Sequence, residues 1–134
     1  MAIFKKHKRD DRPMTPAELM ERSKVDGIRY RDLQVVAQLE KLGYNLNAPR
    51  HVLFYLYFPG KDQAETAAEA LRARGHQVGL REPRTAILDW AVVAESRDRA
   101  LIPDFLRDTV DFCEDLAKKH GGRYDGWEAG PDLG

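Results

Sequence analysis

Side chains able to do acid–base, nucleophilic or metal chemistry are present in this chain, but their spacing does not assemble them. The histidines are His7, His51, His76 and His120. None stands in a metal-binding spacing such as His-Glu-x-x-His, and one cysteine, Cys113, provides no thiolate cluster to complete a zinc site. Cys113 falls between Phe112 and Leu116 in a helical pattern, which predicts a buried, inert thiol. Carboxylates are frequent but interleaved with bases: Glu65, Glu69 and Arg72 share one solvated helix face. There is no nucleophile elbow, P-loop or dinucleotide fingerprint, and Gly121-Gly122 precedes a strand rather than a helix, so it is no phosphate cradle. The expectation is a chain without catalytic residues, metal ligands or cofactors.

What remains is recognition by contact. The 134 residues carry 22 basic and 22 acidic side chains. That balance provides no global attraction to phosphate backbones or anionic membranes. A hydrophobic fraction of 43% suffices for one core, and the charged third keeps the surface solvated. A lone cysteine and the absence of an apolar leader or a membrane-length apolar run predict a cytoplasmic location. Lys5, Lys6, Lys8, Arg9 and Arg12 outweigh Asp10 and Asp11, so residues 1–14 read as a basic flexible tail.

The elements that must position any contact surface follow from periodicity. Thr15-Pro16-Ala17-Glu18 is a capping box with proline at the first helical position, opening a helix to about Val25. A second helix spans Arg29–Leu42, with Leu33, Val36 and Ala37 on one side and Val35, Leu39 and Leu42 beside them. Residues 15–48 form a helical extension. From His51 the pattern switches to period two through Phe58, a central strand because both faces are apolar. Asp62–Glu65 opens an alanine-striped helix to Gly75. His76–Glu82 and Thr85–Glu95 are strands, with Ile87-Leu88 within the second and Ser96–Ile102 a polar connection after it. Pro103 opens a helix to about His120, Arg123–Glu128 is a last strand, and residues 129–134 are a flexible tail. The order strand, helix, strand, strand, helix, strand over residues 49–128 is that of a ferredoxin-like α+β antiparallel sheet. Right-handed crossovers place both helices on one face and leave the other open.

Alternation puts His51, Leu53, Tyr55 and Tyr57 on one side of the first strand and Val52, Phe54, Leu56 and Phe58 on the other. The phenylalanine set reads as core. Tyr55 and Tyr57 then lie on the open face, to meet the N-terminal helices first and a partner second. RNA recognition through such a sheet is disfavoured: the basic-glycine-aromatic strand signature is missing, and Asp89 and Glu95 repel phosphate. Near the C-terminus, Asp125-Gly126 interrupts a strand containing Tyr124 and Trp127, which predicts a turn or bulge aiming Trp127 and Glu128 beside the sheet edge.

These last residues, Gly121-Gly122-Arg123-Tyr124-Asp125-Gly126-Trp127-Glu128, resemble the closing motif of the RraB family, inhibitors of ribonuclease E. Pro49-Arg50-His51, Phe58-Pro59 and the helix ending at Arg74-Gly75 extend the resemblance over about Leu33 to Glu128. The resemblance implies a bacterial regulator that binds the scaffold region of its ribonuclease and performs no chemistry. The candidate partner-binding residues are Tyr124, Asp125, Gly126, Trp127 and Glu128 from the motif, with Tyr55 and Tyr57 from the alternation. The expected partner is a protein such as ribonuclease E, with the chain a monomer or homodimer.

Overall fold

The computed structural model describes residues 12–132. The basic segment expected before Arg12 lies outside the described residues. At Thr15 the capping box forms: Glu18 N donates to Thr15 Oγ1 at 3.2 Å, and Thr15 N donates to Glu18 Oε1 at 2.8 Å. The helix it opens, α1 (Pro16–Leu19), is one turn long and does not reach Val25. Ser23 and Asp26 capture the backbone N–H groups of Val25 and Ile28, and Gly27 adopts φ 73°, so local bonds replace helical ones.

Helix α2 (Tyr30–Lys41) buries Asp32 and Leu39 and stops at Gly43, whose φ of 87° suits a residue without Cβ. Leu42, expected on its apolar stripe, is 70% exposed. Strand β1 (Pro49–Phe58) alternates between buried and half-buried residues from Arg50 onward. Helix α3 (Lys61–Ala73) starts from Gly60 without a side-chain cap, so the box expected from Asp62 does not form. Asp62 instead lies in the first turn, where a carboxylate suits the positive helix end. The helix buries Ala64, Ala67, Ala68 and Leu71, small residues that let it approach the sheet closely. Strand β2 is Gln77–Arg81, β3 is Trp90–Ala100, α4 is Pro103–Lys119 and β4 is Arg123–Asp132.

Two strand boundaries differ from the sequence expectation. Ile87 and Leu88 lie in the β2–β3 connection, and Leu88 is 78% exposed. β3 instead continues through Ser96–Ala100, because the long β1 supplies partners there, Arg50 opposite Arg99 and Pro49 opposite Ala100. β4 likewise passes Glu128 and runs to Asp132, which pairs with Arg50, so residues 129–132 are strand rather than tail.

The protein is thus a mixed helix-and-strand fold. Its four strands form one sheet in the order β2-β3-β1-β4, with antiparallel neighbours throughout, and four helices are found among the described residues. Val52, Phe54, Leu56 and Phe58 are fully buried and meet α3 and α4 on one side of the sheet, with Phe105, Leu106, Val110 and Cys113 of α4 completing the core.

Candidate partner-binding face

The opposite side of the sheet is built from the other residues of β1 and their cross-strand neighbours. His51, Leu53, Tyr55 and Tyr57 are all half-buried there. Leu53 lies opposite Glu95 and Glu128, Tyr55 opposite Val93 and Gly126, and Tyr57 opposite Ala91 and Arg123. β2 adds Gln77, Gly79 and Arg81 along the edge.

Charged side chains hold this surface in register. Tyr55 donates its hydroxyl to Glu128 Oε1 at 2.5 Å. Burial, and then this bond, push its phenol up to about 12, so it stays a neutral donor. The Arg123 guanidinium lies 4.5 Å from the Tyr57 ring centroid and pairs with Asp89 Oδ2 at 2.7 Å. His51 Nε2 contacts Glu95 Oε2, and Arg97 reaches the same oxygen at 3.5 Å. The His51 bond holds the Glu95 carboxyl below its ordinary range. Each aromatic ring is thus bracketed by a charge, which suits a contact surface with directional polar groups. The same carboxylates oppose a phosphate backbone.

The seven candidate residues fall on two sides of the sheet. Tyr55, Tyr57, Gly126 and Glu128 share the open side. Asp125 is exposed at a bulge: Tyr55 pairs with Gly126 and Leu56 with Tyr124, leaving Asp125 as the extra residue, with Gly126 at φ 110°. That bulge places Tyr124 and Trp127 on the core side, opposite Leu56 and Phe54. Trp127 is 9% exposed and donates Nε1–H to Asp32 Oδ1 at 2.9 Å. Burial raises the Tyr124 phenol, and its hydroxyl has no hydrogen-bond partner among the described residues.

The expectation that the N-terminal helices meet the tyrosines is not met. Asp32 of α2 bonds to Trp127 on the core side, and Arg29 beside it grips Glu114 of α4 at 2.7 and 3.1 Å. These bonds tie α2 to the helical layer.

Several supporting residues escaped the sequence reading. Arg50 is fully buried in β1 and donates to the carbonyl oxygens of Gly130, at 2.7 Å, and Asn45. Arg123 stood inside the closing motif and Arg50 inside Pro49-Arg50-His51, so motif position was the available signal for both. Nothing in the sequence marked Asp32 as buried.

No helix among the described residues is long and apolar enough to cross a membrane. No curated protein matches the chain. A family model described as regulator of ribonuclease activity B matches residues 30–129. The match starts at the first residue of α2 and takes in the whole of β1, α3, β2, β3 and α4, the bulge, and the Trp127–Asp32 pair. Covering well over half of the sequence, including three strands whole and β4 as far as Ala129, it makes this chain a member of the RraB family, regulator of ribonuclease activity B.

Proposed function

We propose that this protein is a non-catalytic inhibitor of an RNA-degrading enzyme of the ribonuclease E type, and that it docks on that enzyme through the open side of its sheet. The family description supplies the regulatory part of this reading. We read the strand order and the intervening helices as a ferredoxin-like arrangement, in which one sheet side is left for a partner. The carrying observation is the contrast between the two sides. One is sealed by helices over Phe54, Leu56 and Phe58, while the other presents Tyr55 and Tyr57 in a frame of Glu128, Arg123 and Asp89. Tyrosine with a bracketing arginine is the composition favoured at the centre of protein interfaces.

The test uses the full chain with ribonuclease E and with its scaffold segment. Cleavage of a model RNA should fall, and the chain should co-elute with the scaffold. Tyr57→Ala with Glu128→Lys should weaken the complex by about 2 kcal/mol, the scale of a central interface residue, with circular dichroism checking that the variant remains folded. Absence of a complex at micromolar concentration sinks the reading. Binding to RNA alone, with steep salt dependence and loss on removing residues 1–12, would replace it with direct RNA recognition.

A further inference from the structure

A second concave site lies on the helical side of the sheet, away from the tyrosines. β2 pairs with β3 only over residues 91–95, so beyond Glu95 the outer edge of β3 has no strand neighbour among the described residues. A cavity of about 470 Å³ opens there, between the end of α3 and the first turns of α4. Its deeper wall includes His76, Ser96 and Thr109, which are 9%, 6% and 2% exposed.

Two arginines border it. The Arg74 guanidinium sits 4.5 Å from the Phe112 ring centroid, and that of Arg99 sits 4.6 Å from the centroid of Phe105. Stacking on a ring orders a guanidinium while leaving its N–H edge able to donate; one terminal nitrogen of Arg74 already donates to the Asp108 carbonyl oxygen, at 3.5 Å. Neither has a carboxylate within ion-pair distance among the described residues. Asp104 and Asp108, which also line the cavity, pair instead with Arg107, at 3.3 and 3.0 Å. Ser96 and Thr109 are buried residues that line the same cavity, where their hydroxyls can donate to a bound group.

From this we infer that the cavity is a binding site for a phosphate group, free or carried by a nucleotide, held by Arg74 and Arg99 and by the hydroxyls of Ser96 and Thr109. A carboxylate is satisfied by one guanidinium fork, whereas two guanidiniums and two hydroxyls lining one space match the larger acceptor capacity of a tetrahedral oxyanion. His76 contributes no charge. Burial, and then Arg74, hold its imidazole below its ordinary range, so it lies neutral against the site. Three lining carboxylates oppose an anion, Asp98, Asp104 and Asp108; Asp98 has no ion-pair partner among the described residues and limits affinity most directly. This inference is independent of the docking reading, because the Tyr55 face contributes no residue to the cavity.

The test is calorimetric titration of the full chain at constant ionic strength with inorganic phosphate and, separately, uridine 5′-monophosphate, with chloride as the control. Saturable one-to-one binding is expected. Tighter binding of the nucleotide identifies a nucleotide-borne phosphate as the ligand, and equal binding identifies free phosphate. Arg74→Gln with Arg99→Gln should weaken binding by about tenfold or more, and Asp98→Asn should strengthen it. If the glutamine pair disturbs folding by circular dichroism, Arg74→Lys with Arg99→Lys decides the question, since it keeps charge but loses the planar fork. No saturation by about 10 mM of either anion, or binding indifferent to both arginine pairs, overturns the inference.

Discussion

The indole N–H of Trp127 donates to the carboxylate of Asp32 across 2.9 Å, joining β4 to α2 through the core side of the sheet. Asp32 is 3% exposed, so its carboxylate depends on this donor and on Arg31 Nε at 3.4 Å.

Trp127→Phe should therefore destabilise the fold by about 2 kcal/mol, the cost of leaving a buried charged acceptor under-satisfied. Asp32→Asn keeps an acceptor and should cost about half as much. Urea denaturation of both variants checks the order. Loss of partner binding in Trp127→Ala would report a damaged fold, which is why the docking test uses Tyr57 and Glu128.

Arg50→Lys should be severe for a nominally conservative change. The guanidinium spans the carbonyl oxygens of Gly130 and Asn45 and lies 5.1 Å from the Tyr44 ring centroid. An ammonium has no planar fork to reach both, and a loss of about 2–3 kcal/mol is expected from unsatisfied buried acceptors. Thermal melts monitored by circular dichroism will read this directly.

Gly122→Ala places a Cβ against the backbone oxygen of Tyr57 and the ring of Phe58. The backbone cannot yield as a flexible side chain can, so a loss of about 1–3 kcal/mol is expected. Gly130→Ala, whose Cβ would meet His51 only at 3.8 Å, is the matched control and should be near neutral.

Stability should fall on mild acidification. Burial holds His76 below its ordinary value of 6.5, so the unfolded chain binds that proton more readily than the folded one. Stability therefore decreases as pH drops from 6.5 toward the folded value. Glu95 acts lower on the scale. Its carboxyl is held below 4.5 by His51, so its contribution is present above 4.5 and is lost as pH falls through its folded value. In urea midpoints between pH 8 and pH 4, His76→Gln should remove the decline that begins near 6.5.

Cys113 should be silent to thiol reagents in the folded protein. It is fully buried, and burial pushes its thiol up to about 12, leaving almost no thiolate at neutral pH. Reaction with Ellman's reagent at pH 8 should track unfolding in urea.

Much of the framework is legible from local pattern. The alternation Val52, Phe54, Leu56, Phe58 against Leu53, Tyr55, Tyr57 separates the two sides of β1, because successive strand residues point opposite ways whatever surrounds them. The alanine stripe of α3 and the proline start of α4 are legible for similar reasons. The segment around Ile87-Leu88 is not. Its branched residues favour a strand, but a strand exists only where a neighbour offers hydrogen bonds, and the register with β1 moves β3 onto the more polar Ser96–Ala100.

The candidate site divides in the same way. Sequence alone determined which residues alternate, where α1 and α4 begin, and that Asp125-Gly126 interrupts the last strand. Only the tertiary structure decided that the bulge turns Trp127 and Tyr124 into the core, that Asp32 and Arg50 are buried, and that α2 leaves the tyrosines uncovered. The physical reason is range. Periodicity and capping are set within a few residues, whereas burial of a polar group depends on a donor or acceptor supplied from far along the chain, as Trp127 supplies Asp32.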